Sequence, residues 1–244
     1  MRLLLAAGLV LLGVRAGDAA DATIAAQEPS GFFGRFVANH LTIGARVSYF
    51  WLQDTRRSSA NGYDNLNQAG NFLGSLWGLD AQQHYFPNPF VEYRVISGFG
   101  AGIAYDQARA KTLDWTDNTA RLVTAGDGDV EIRGLQYYVF GRFRNRTRLT
   151  PYANVGIARY QSRFLVSPDW LIPGRHFEVD DTKGWFVSGG CNVAFSRHLG
   201  LDALYRHSQL DAVVGRAFFS PRRHRSGAFP MRNDLLGAGL FYAF

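Results

Sequence analysis

The sequence is poor in cysteine and in lysine. Cys191 is the only cysteine among the 244 residues, so the chain can form neither an intrachain disulfide nor a site with several thiolate ligands. Lys111 and Lys183 are the only lysines among 26 basic residues, and the rest are arginines. Because a water-facing surface normally carries lysine freely, this shortage indicates that much of the folded surface does not face water.

Long apolar runs are absent after the N-terminal region. Residues 1–22 combine Arg2, an apolar run from Leu3 to Val14 and small residues ending at Ala22, which is typical of a secretory signal peptide. We place cleavage after Ala22, with Ala19 and Ala20 as alternatives. No later window approaches the roughly 18 consecutive apolar residues of a transmembrane helix. The mature protein is expected to be exported, and any membrane crossing must use strands closed on themselves.

What the sequence does contain is apolar side chains at every second position, the period of a β-strand. The alternation is clearest from Leu41 to Trp51 and from Asn233 to Phe244. In the strand over 152–164 the pattern leaves open which face is apolar. Eight such segments are predicted, over 41–51, 89–95, 99–105, 135–143, 152–164, 185–195, 199–206 and 233–244.

The connections between these strands alternate in length. Long loops over 53–85, 107–129, 165–181 and 209–231 alternate with short turns over 96–98, 144–149 and 196–198. This pattern predicts an all-β fold over 39–244, an eight-stranded antiparallel up-and-down transmembrane β-barrel with its turns in the periplasm. Residues 23–38 then form a periplasmic N-terminal segment. A short helix is a possible element of the first loop, around 66–77.

The alternative is a soluble, lipocalin-like barrel whose apolar face points inward. The second face of the strands favours lipid instead, because it holds glycines such as Gly44, Gly100 and Gly239 where a water-facing strand would carry threonine, lysine and glutamate. Aromatic residues are available for membrane-interface girdles. They are Tyr49, Trp51, Tyr93, Tyr105, Tyr137, Trp185, Tyr205 and Tyr242.

Charged residues also fall on this second face, which becomes the lumen of the barrel. An eight-stranded barrel has an interior only wide enough for its own side chains, so passive flow of solutes is not expected. Because an unpaired buried charge is costly, we predict an ion-pair network in the lumen. Its members are Arg46, Arg94, Arg142 and Arg206 with Glu92 and Asp202. The functional alternative is a path for protons or ions along the same residues.

The last strand resembles the closing strand of bacterial outer-membrane β-barrels. The resemblance implies that Leu240, Tyr242 and Phe244 are read by the barrel-assembly machinery. Over 39–244 the chain is similar to the small barrel class that includes OmpA-, OmpX- and OmpW-type proteins. That similarity implies the bacterial outer membrane as the location, a monomer, and a structural or surface-interaction role in which the loops vary.

One segment suggests an enzyme. Tyr205, Arg206, His207 and Ser208 resemble the histidine–serine neighbourhood of the lipid A deacylases of the PagL type. In that family one residue separates the histidine from the serine, whereas His207 and Ser208 are adjacent and should lie on opposite faces. We therefore interpret His207 as an interfacial residue at the outer rim. A deacylase, and a carrier of small apolar compounds with a lateral opening, are the alternative functions.

Basic residues cluster in two loops. They are Arg56 and Arg57 in the first loop and Arg216, Arg222, Arg223 and Arg225 in the last. They form either a solvated loop surface or a surface that attracts lipopolysaccharide phosphates, for which the planar guanidinium is suited. Asp127, Asp129 and Glu131 are interpreted as a solvated loop rather than a calcium site. No cofactor or metal is implied, and scattered arginines without a recognition motif give no indication of nucleic-acid binding.

Overall fold

The computed structural model describes residues 34, 36–53, 78–80, 85–115, 122–123, 128–143, 147–166, 168, 176–220, 223–229 and 231–244. The predicted signal peptide over 1–22 and the possible helix around 66–77 lie outside these residues. Most of the predicted segment 23–38 does too, although Gly34 and Phe36 have helical conformation. Within the described part of the chain, no helix is both long and apolar enough to cross a membrane.

Eight long strands form the barrel. Each pairs antiparallel with its neighbour in sequence, and β1 pairs with β8 from Thr42 opposite Ala243 to Leu52 opposite Asn233, which closes the sheet. The fold prediction is therefore confirmed. The strands are β1 (Leu41–Leu52), β2 (Tyr85–Ile96), β3 (Phe99–Trp115), β4 (Gly128–Arg142), β5 (Leu149–Val166), β6 (Thr182–Ala194), β7 (Leu199–Leu210) and β8 (Asn233–Ala243).

One end of the barrel, called the turn end below, carries the short connections. The turn between β2 and β3 consists of Ser97 and Gly98, and Gly98 has a φ of 86°, a left-handed conformation that favours glycine. The opposite end, called the loop end, carries the long connections. In outer-membrane barrels the short turns are periplasmic and the long loops extracellular, so the loop end is the outer one.

The loop end contains more β-structure than the sequence predicts. The prediction of a loop over 107–129 is wrong at both ends, because β3 continues to Trp115 and β4 begins at Gly128. The strand Leu122–Val123 pairs with the tip of β3, and the strand Gly78–Asp80 pairs with β3 at Lys111–Leu113. A separate three-stranded sheet consists of Val213–Ser220 between His176–Val179 and Arg223–Phe229.

The outer face of the strands is apolar and exposed. Val47, Val139 and Ile157 are each 57% exposed on the outside of the barrel, as the alternation predicts. The orientation of β5, which the sequence left open, is settled by burial. Val155 and Ile157 face outward, while Tyr152 and Tyr160 are buried in the lumen. An exposed apolar belt around a closed barrel is stable only in lipid.

The interior differs between the two ends. Toward the turn end it holds glycines and charged groups, as predicted. Toward the loop end it is apolar, which the prediction of a lumen filled by glycines and ions did not include. This part of the core is built from Phe50, Leu52, Ala108, Ala110, Val130, Ile132, Leu210, Val213 and Met231.

Glycines in the lumen face large aromatic rings on the neighbouring strand. A Cβ atom added to Gly102 would lie 2.6 Å from Cζ of Tyr138, and one added to Gly190 would lie 2.4 Å from Cζ of Tyr152. Each ring therefore occupies the space that a side chain on the adjacent strand would fill. This arrangement directs the two phenol hydroxyls across the lumen.

Candidate functional sites in the lumen and at the loop end

The first lumenal cluster surrounds Asp202. Its carboxylate is paired with the guanidinium of Arg46 and is only 1% exposed. The hydroxyl of Tyr152 and the amide of Asn192 each donate a hydrogen bond of 2.7 Å to Oδ1 of Asp202. The space over Gly190 lets the ring of Tyr152 reach this position. The buried carboxylate thus has a counter-charge and two neutral donors.

The second cluster surrounds Asp106 and lies nearer the loop end. Oδ2 of Asp106 accepts hydrogen bonds from Nη2 of Arg206 at 2.6 Å, from the hydroxyl of Tyr160 at 3.0 Å and from Nε2 of Gln136 at 2.9 Å. Asn88 joins the two clusters. Its Oδ1 accepts from Nη1 of Arg46 at 3.3 Å, and its Nδ2 donates to Oδ1 of Asp106 at 3.4 Å.

The third cluster repeats the same composition around Glu92. Arg142 pairs with this carboxylate, and the hydroxyl of Tyr138 donates to Oε1 of Glu92 at 3.1 Å. Each of the three carboxylates thus binds one arginine and one tyrosine. Arg94 lies at the turn end, where its backbone N–H donates to the carbonyl of His40 at 2.8 Å.

Sequence reasoning named Arg46, Arg142, Arg206, Glu92 and Asp202 but missed several partners. Asp106 was missed because the predicted strand ended at Tyr105, whereas β3 continues to Trp115. Its signal was present, since position 106 continues the inward-facing alternation of Gly102 and Ala104. The tyrosines were missed for two reasons. The faces of the strand over 152–164 were left open, so Tyr152 and Tyr160 were not assigned to the lumen. Tyr138 was not considered as a partner for a buried carboxylate, although it shares the inward-facing positions of β4 with Gln136.

A polar cluster on the outer face joins the loop-end parts of β1, β7 and β8. The carboxylate of Asp234 accepts hydrogen bonds from Nε2 of Gln53 at 2.7 Å and from the hydroxyl of Tyr205 at 2.9 Å, and lies 2.9 Å from Nδ1 of His207. Ser208 is buried inside the barrel, where its hydroxyl accepts from Nε of Arg206 at 3.1 Å. His207 and Ser208 therefore lie on opposite faces of β7.

The basic loop residues are only partly described. Arg216 forms a bidentate ion pair with Asp180, with both nitrogen–oxygen distances at 2.8 Å. These hydrogen bonds raise the pKa of the Arg216 guanidinium. Arg223 and Arg225 lie on the strand Arg223–Phe229, while Arg56, Arg57 and Arg222 lie outside the described residues. Arg216 is thus already engaged by a carboxylate.

The acidic segment interpreted as a solvated loop is part of β4. Oδ2 of Asp129 accepts from Nε of Arg109 at 2.8 Å, and Glu131 accepts from Gln107 at 2.7 Å. Asp127 lies outside the described residues. No group of three or more metal-ligating side chains occurs in the described ranges.

The residues of the predicted assembly signal lie on the outer face at the turn end. Leu240 is 53% exposed and Tyr242 is 41% exposed. The backbone of Phe244 is bonded on both sides, since its N–H donates to the carbonyl of Leu41 at 3.0 Å and its carbonyl accepts from the N–H of Asn39 at 2.6 Å. These contacts fasten the last strand to the beginning of the first.

A closed eight-stranded barrel with an apolar exterior, a filled lumen and long loops at one end defines the class of small outer-membrane β-barrels. Solved structures agree. The outer membrane protein OprG from Pseudomonas aeruginosa is similar, with a TM-score of 0.64 and 9% identity over 86% of this chain and 97% of that chain. The outer membrane protein AlkL gives a TM-score of 0.57 and 15% identity over 89% of this chain and 94% of that chain.

At these identities the likeness shows the fold. No family model matches the sequence, and a comparison with curated proteins gives no match. The fold and the lipid-facing exterior place the chain in the bacterial outer membrane, as predicted.

Proposed function

We propose that the protein is a sealed outer-membrane barrel with a structural or surface-interaction role, carried by its extracellular loops. The observation that supports this function most directly is the filled lumen. Arg46, Asp202, Arg206 and Asp106 are each at most 3% exposed, and they lie across the interior in one hydrogen-bonded network. Ions would have to break this network to pass.

The loop end supports a role at the cell surface. The described parts of its connections include several strands, and segments of the third and fourth loops form a three-stranded sheet. The stacked rings of His176 and Phe218, with centroids 4.3 Å apart, join two strands of that sheet. A folded platform of this kind presents a fixed surface to lipopolysaccharide or to another macromolecule.

The expected partners follow from this location. We propose contacts with outer-membrane lipids and with lipopolysaccharide through the loop arginines, and recognition of Leu240, Tyr242 and Phe244 by the barrel-assembly machinery. Because Arg216 is paired with Asp180, the loop contribution to phosphate binding would rest mainly on the other loop arginines, which are Arg56, Arg57, Arg222, Arg223 and Arg225. We propose that the protein acts as a monomer.

Conductance in planar lipid bilayers tests the sealed lumen. We expect no stepwise ion current from the purified protein, because a barrel of this size has its interior filled by side chains. A variant with Asp106→Ala and Arg206→Ala should leak, since it removes one ion pair and its bulk. A variant with Asp211→Ala and Arg197→Ala, which changes exposed residues, is the matched control. A steady channel current from the unaltered protein would contradict the proposal.

A second function, a carrier for small apolar compounds, is favoured by the apolar core toward the loop end. Phe50, Ile132 and Met231 pack in this part of the interior, on the extracellular side of the ion pairs. An apolar solute could enter there from outside, but it would need a lateral exit through the wall above the ion pairs. Equal uptake of a small hydrocarbon by cells with and without the protein would remove this candidate.

A further inference from the structure

Outward-facing cations gather on one side of the barrel near the loop end. On the outer face of three adjacent strands, the next outward position toward the loop end after the last exposed apolar residue is basic. Arg133 follows Leu135 in this direction, Arg159 follows Ile157 and Lys183 follows Trp185. Hydrocarbon-facing residues therefore give way to cations at the same step on β4, β5 and β6. This step marks the level at which acyl chains end and lipid headgroups begin.

These three cations line a single cleft of about 710 Å³ together with Tyr105, Tyr137 and Gln161. Arg159 lies directly opposite Lys183 across the β5–β6 pair, and Arg133 lies opposite Gln161. Like charges placed directly opposite each other destabilise a strand pair. A bound anion would relieve this repulsion.

The protein does not supply that anion in the described residues. Asp181 and Asp211 also line the cleft, but neither lies within ion-pair distance of the three cations. Asp181 instead accepts a hydrogen bond of 3.2 Å from the backbone N–H of Ser162. Three cations facing two carboxylates leave the cleft with a positive surplus.

The other side of the rim lacks this feature. On β1, β2, β7 and β8 the outer face at the loop end carries Tyr49, Trp51, Tyr85 and Tyr205 together with the paired His207 and Asp234. The arginines of those four strands, which are Arg46, Arg94 and Arg206, occupy inward positions of the alternation. The basic cleft is therefore a localised feature and not a general property of the barrel rim.

An apolar groove begins where the cleft ends. Tyr137 lines both, and the groove of about 630 Å³ continues toward the turn end between Ile103, Val139, Val155 and Ile157. The small side chain of Ala101 leaves this part of the wall hollow. A basic cleft joined to an apolar groove matches a phosphorylated lipid with its acyl chains against the barrel.

We propose that Arg133, Arg159 and Lys183 bind a phosphate of lipid A, the membrane-embedded part of lipopolysaccharide, in the outer leaflet. The guanidinium groups donate paired hydrogen bonds to phosphate oxygens, and Lys183 adds a further donor and charge. The acyl chains lie in the groove below. This inference rests on the proposed surface role and deepens its lipopolysaccharide contact, but it assigns the contact to the barrel wall and not to the loops.

Binding of bisphosphorylated lipid A to the full mature chain in detergent tests the site. The variant with Arg133→Gln, Arg159→Gln and Lys183→Gln should bind about tenfold more weakly or worse, the effect of losing even one strong charge-assisted contact. Arg148→Gln with Arg197→Gln, at the turn end, is the matched control and should bind normally. Altered migration on unheated SDS gels would reveal a variant that does not fold.

Several results would overturn the proposal. They are unchanged affinity in the wall variant, equal affinity for dephosphorylated lipid A, and equally tight binding of phosphatidylglycerol, which would indicate a general anionic-lipid surface. A loop variant with Arg216, Arg222, Arg223 and Arg225 changed to serine distinguishes binding through the loops from binding at the wall site. Loss of binding in the loop variant alone would refute the wall site and leave the proposed function standing. Ion conductance by a barrel whose wall still binds lipid A would refute the proposed sealed barrel and leave the wall site standing.

Chemical labelling provides a measurement that needs no variant. Lys183 and Lys111 are the only lysines of the chain, so acetylation of each is readily followed by mass spectrometry. Bound lipid A should abolish labelling of Lys183 and leave the labelling of Lys111 unchanged. Equal labelling of Lys183 with and without lipid A would refute the site even if the variant failed to fold.

Discussion

The lumenal charges are held by one repeated combination of residues. Asp202, Asp106 and Glu92 each bind an arginine and a tyrosine hydroxyl. A carboxylate buried in this way keeps its charge only if its oxygen atoms are satisfied by donors. The tyrosines therefore matter as much as the arginines, because each supplies a donor without adding a charge.

Removing one member of such a pair should be costly. Asp106→Leu leaves Arg206 buried at 2% exposure without its counter-charge, and Nη1 of Arg206 has no hydrogen-bond partner in the described structure even with Asp106 present. We expect the free energy of unfolding to fall by about 3–5 kcal/mol. Urea titration in lipid vesicles, followed by tryptophan fluorescence, measures this change.

The control for that experiment is Asp211→Leu. Asp211 is exposed and makes no ion pair among the described residues, so its replacement should change stability by no more than about 0.5 kcal/mol. If both substitutions had the same small effect, the lumenal pair would not be an important source of stability.

At the scale of the strands, glycines and aromatic rings on neighbouring strands form complementary surfaces. Gly102 lies opposite Tyr138 in the β3–β4 pair, and Gly190 lies across from Tyr152 in the β5–β6 pair. The tyrosine ring covers the glycine, and the tyrosine hydroxyl reaches a carboxylate on the strand beyond the one that carries the glycine. This pairing links local backbone packing to the charge network.

An alanine at position 102 should disturb this packing. Its Cβ would lie 2.6 Å from the ring of Tyr138, so the ring must move and its hydrogen bond to Glu92 must lengthen. We expect a loss of about 1–3 kcal/mol, the usual cost of overpacking. Gly189→Ala is the matched control, because the nearest atom to a Cβ there is 4.0 Å away. Equal stability of the two variants in urea titrations would contradict this account.

The strands were predicted well in their membrane part and poorly above it. Within the belt one face is continuously apolar, and this signal is strong. Beyond the belt both faces of β3 carry polar or small residues, such as Gln107 and Ala108, and the apolar alternation stops. Pairing with β4 continues there because backbone hydrogen bonds do not require an apolar face. The sequence pattern therefore marks the lipid boundary rather than the end of the strand.

At the scale of the whole molecule, the barrel carries apolar side chains on its outside and many polar ones inside, the reverse of a soluble protein. The exposed side chains of its belt include valine, isoleucine, leucine and tyrosine, and its buried ones include arginine, aspartate and asparagine. Without a hydrocarbon environment this distribution would be unstable, because the apolar belt would face water. The membrane is thus part of what stabilises the fold.

A charge placed in the belt tests this orientation. Val47 lies near the middle of β1 and is 57% exposed, whereas Val95 lies next to the turn end and is 62% exposed. Val47→Arg should destabilise the protein in vesicles by about 2–4 kcal/mol, and Val95→Arg by no more than about 1 kcal/mol. Similar effects for both substitutions would indicate that Val47 does not face hydrocarbon.

The sequence by itself determined the membrane-spanning parts of the eight strands, the inward and outward faces of all of them except β5, and the choice of lipid over water. The strands and their faces follow from a period of two, which can be recognised within each local segment. The choice of lipid follows from the glycines on the second face. The sequence also named both partners of two lumenal pairs, Arg46 with Asp202 and Arg142 with Glu92, because few charges share the inner face.

Only the tertiary structure decided which groups meet across the barrel. Arg206 reaches Asp106 across 100 residues of sequence, and Arg159 stands beside Lys183 because of the register between β5 and β6. Register depends on how eight strands close together, and strand tilt brings together residues whose separation in sequence follows no fixed interval. For that reason the lumenal clusters and the basic cleft appear only in the folded barrel.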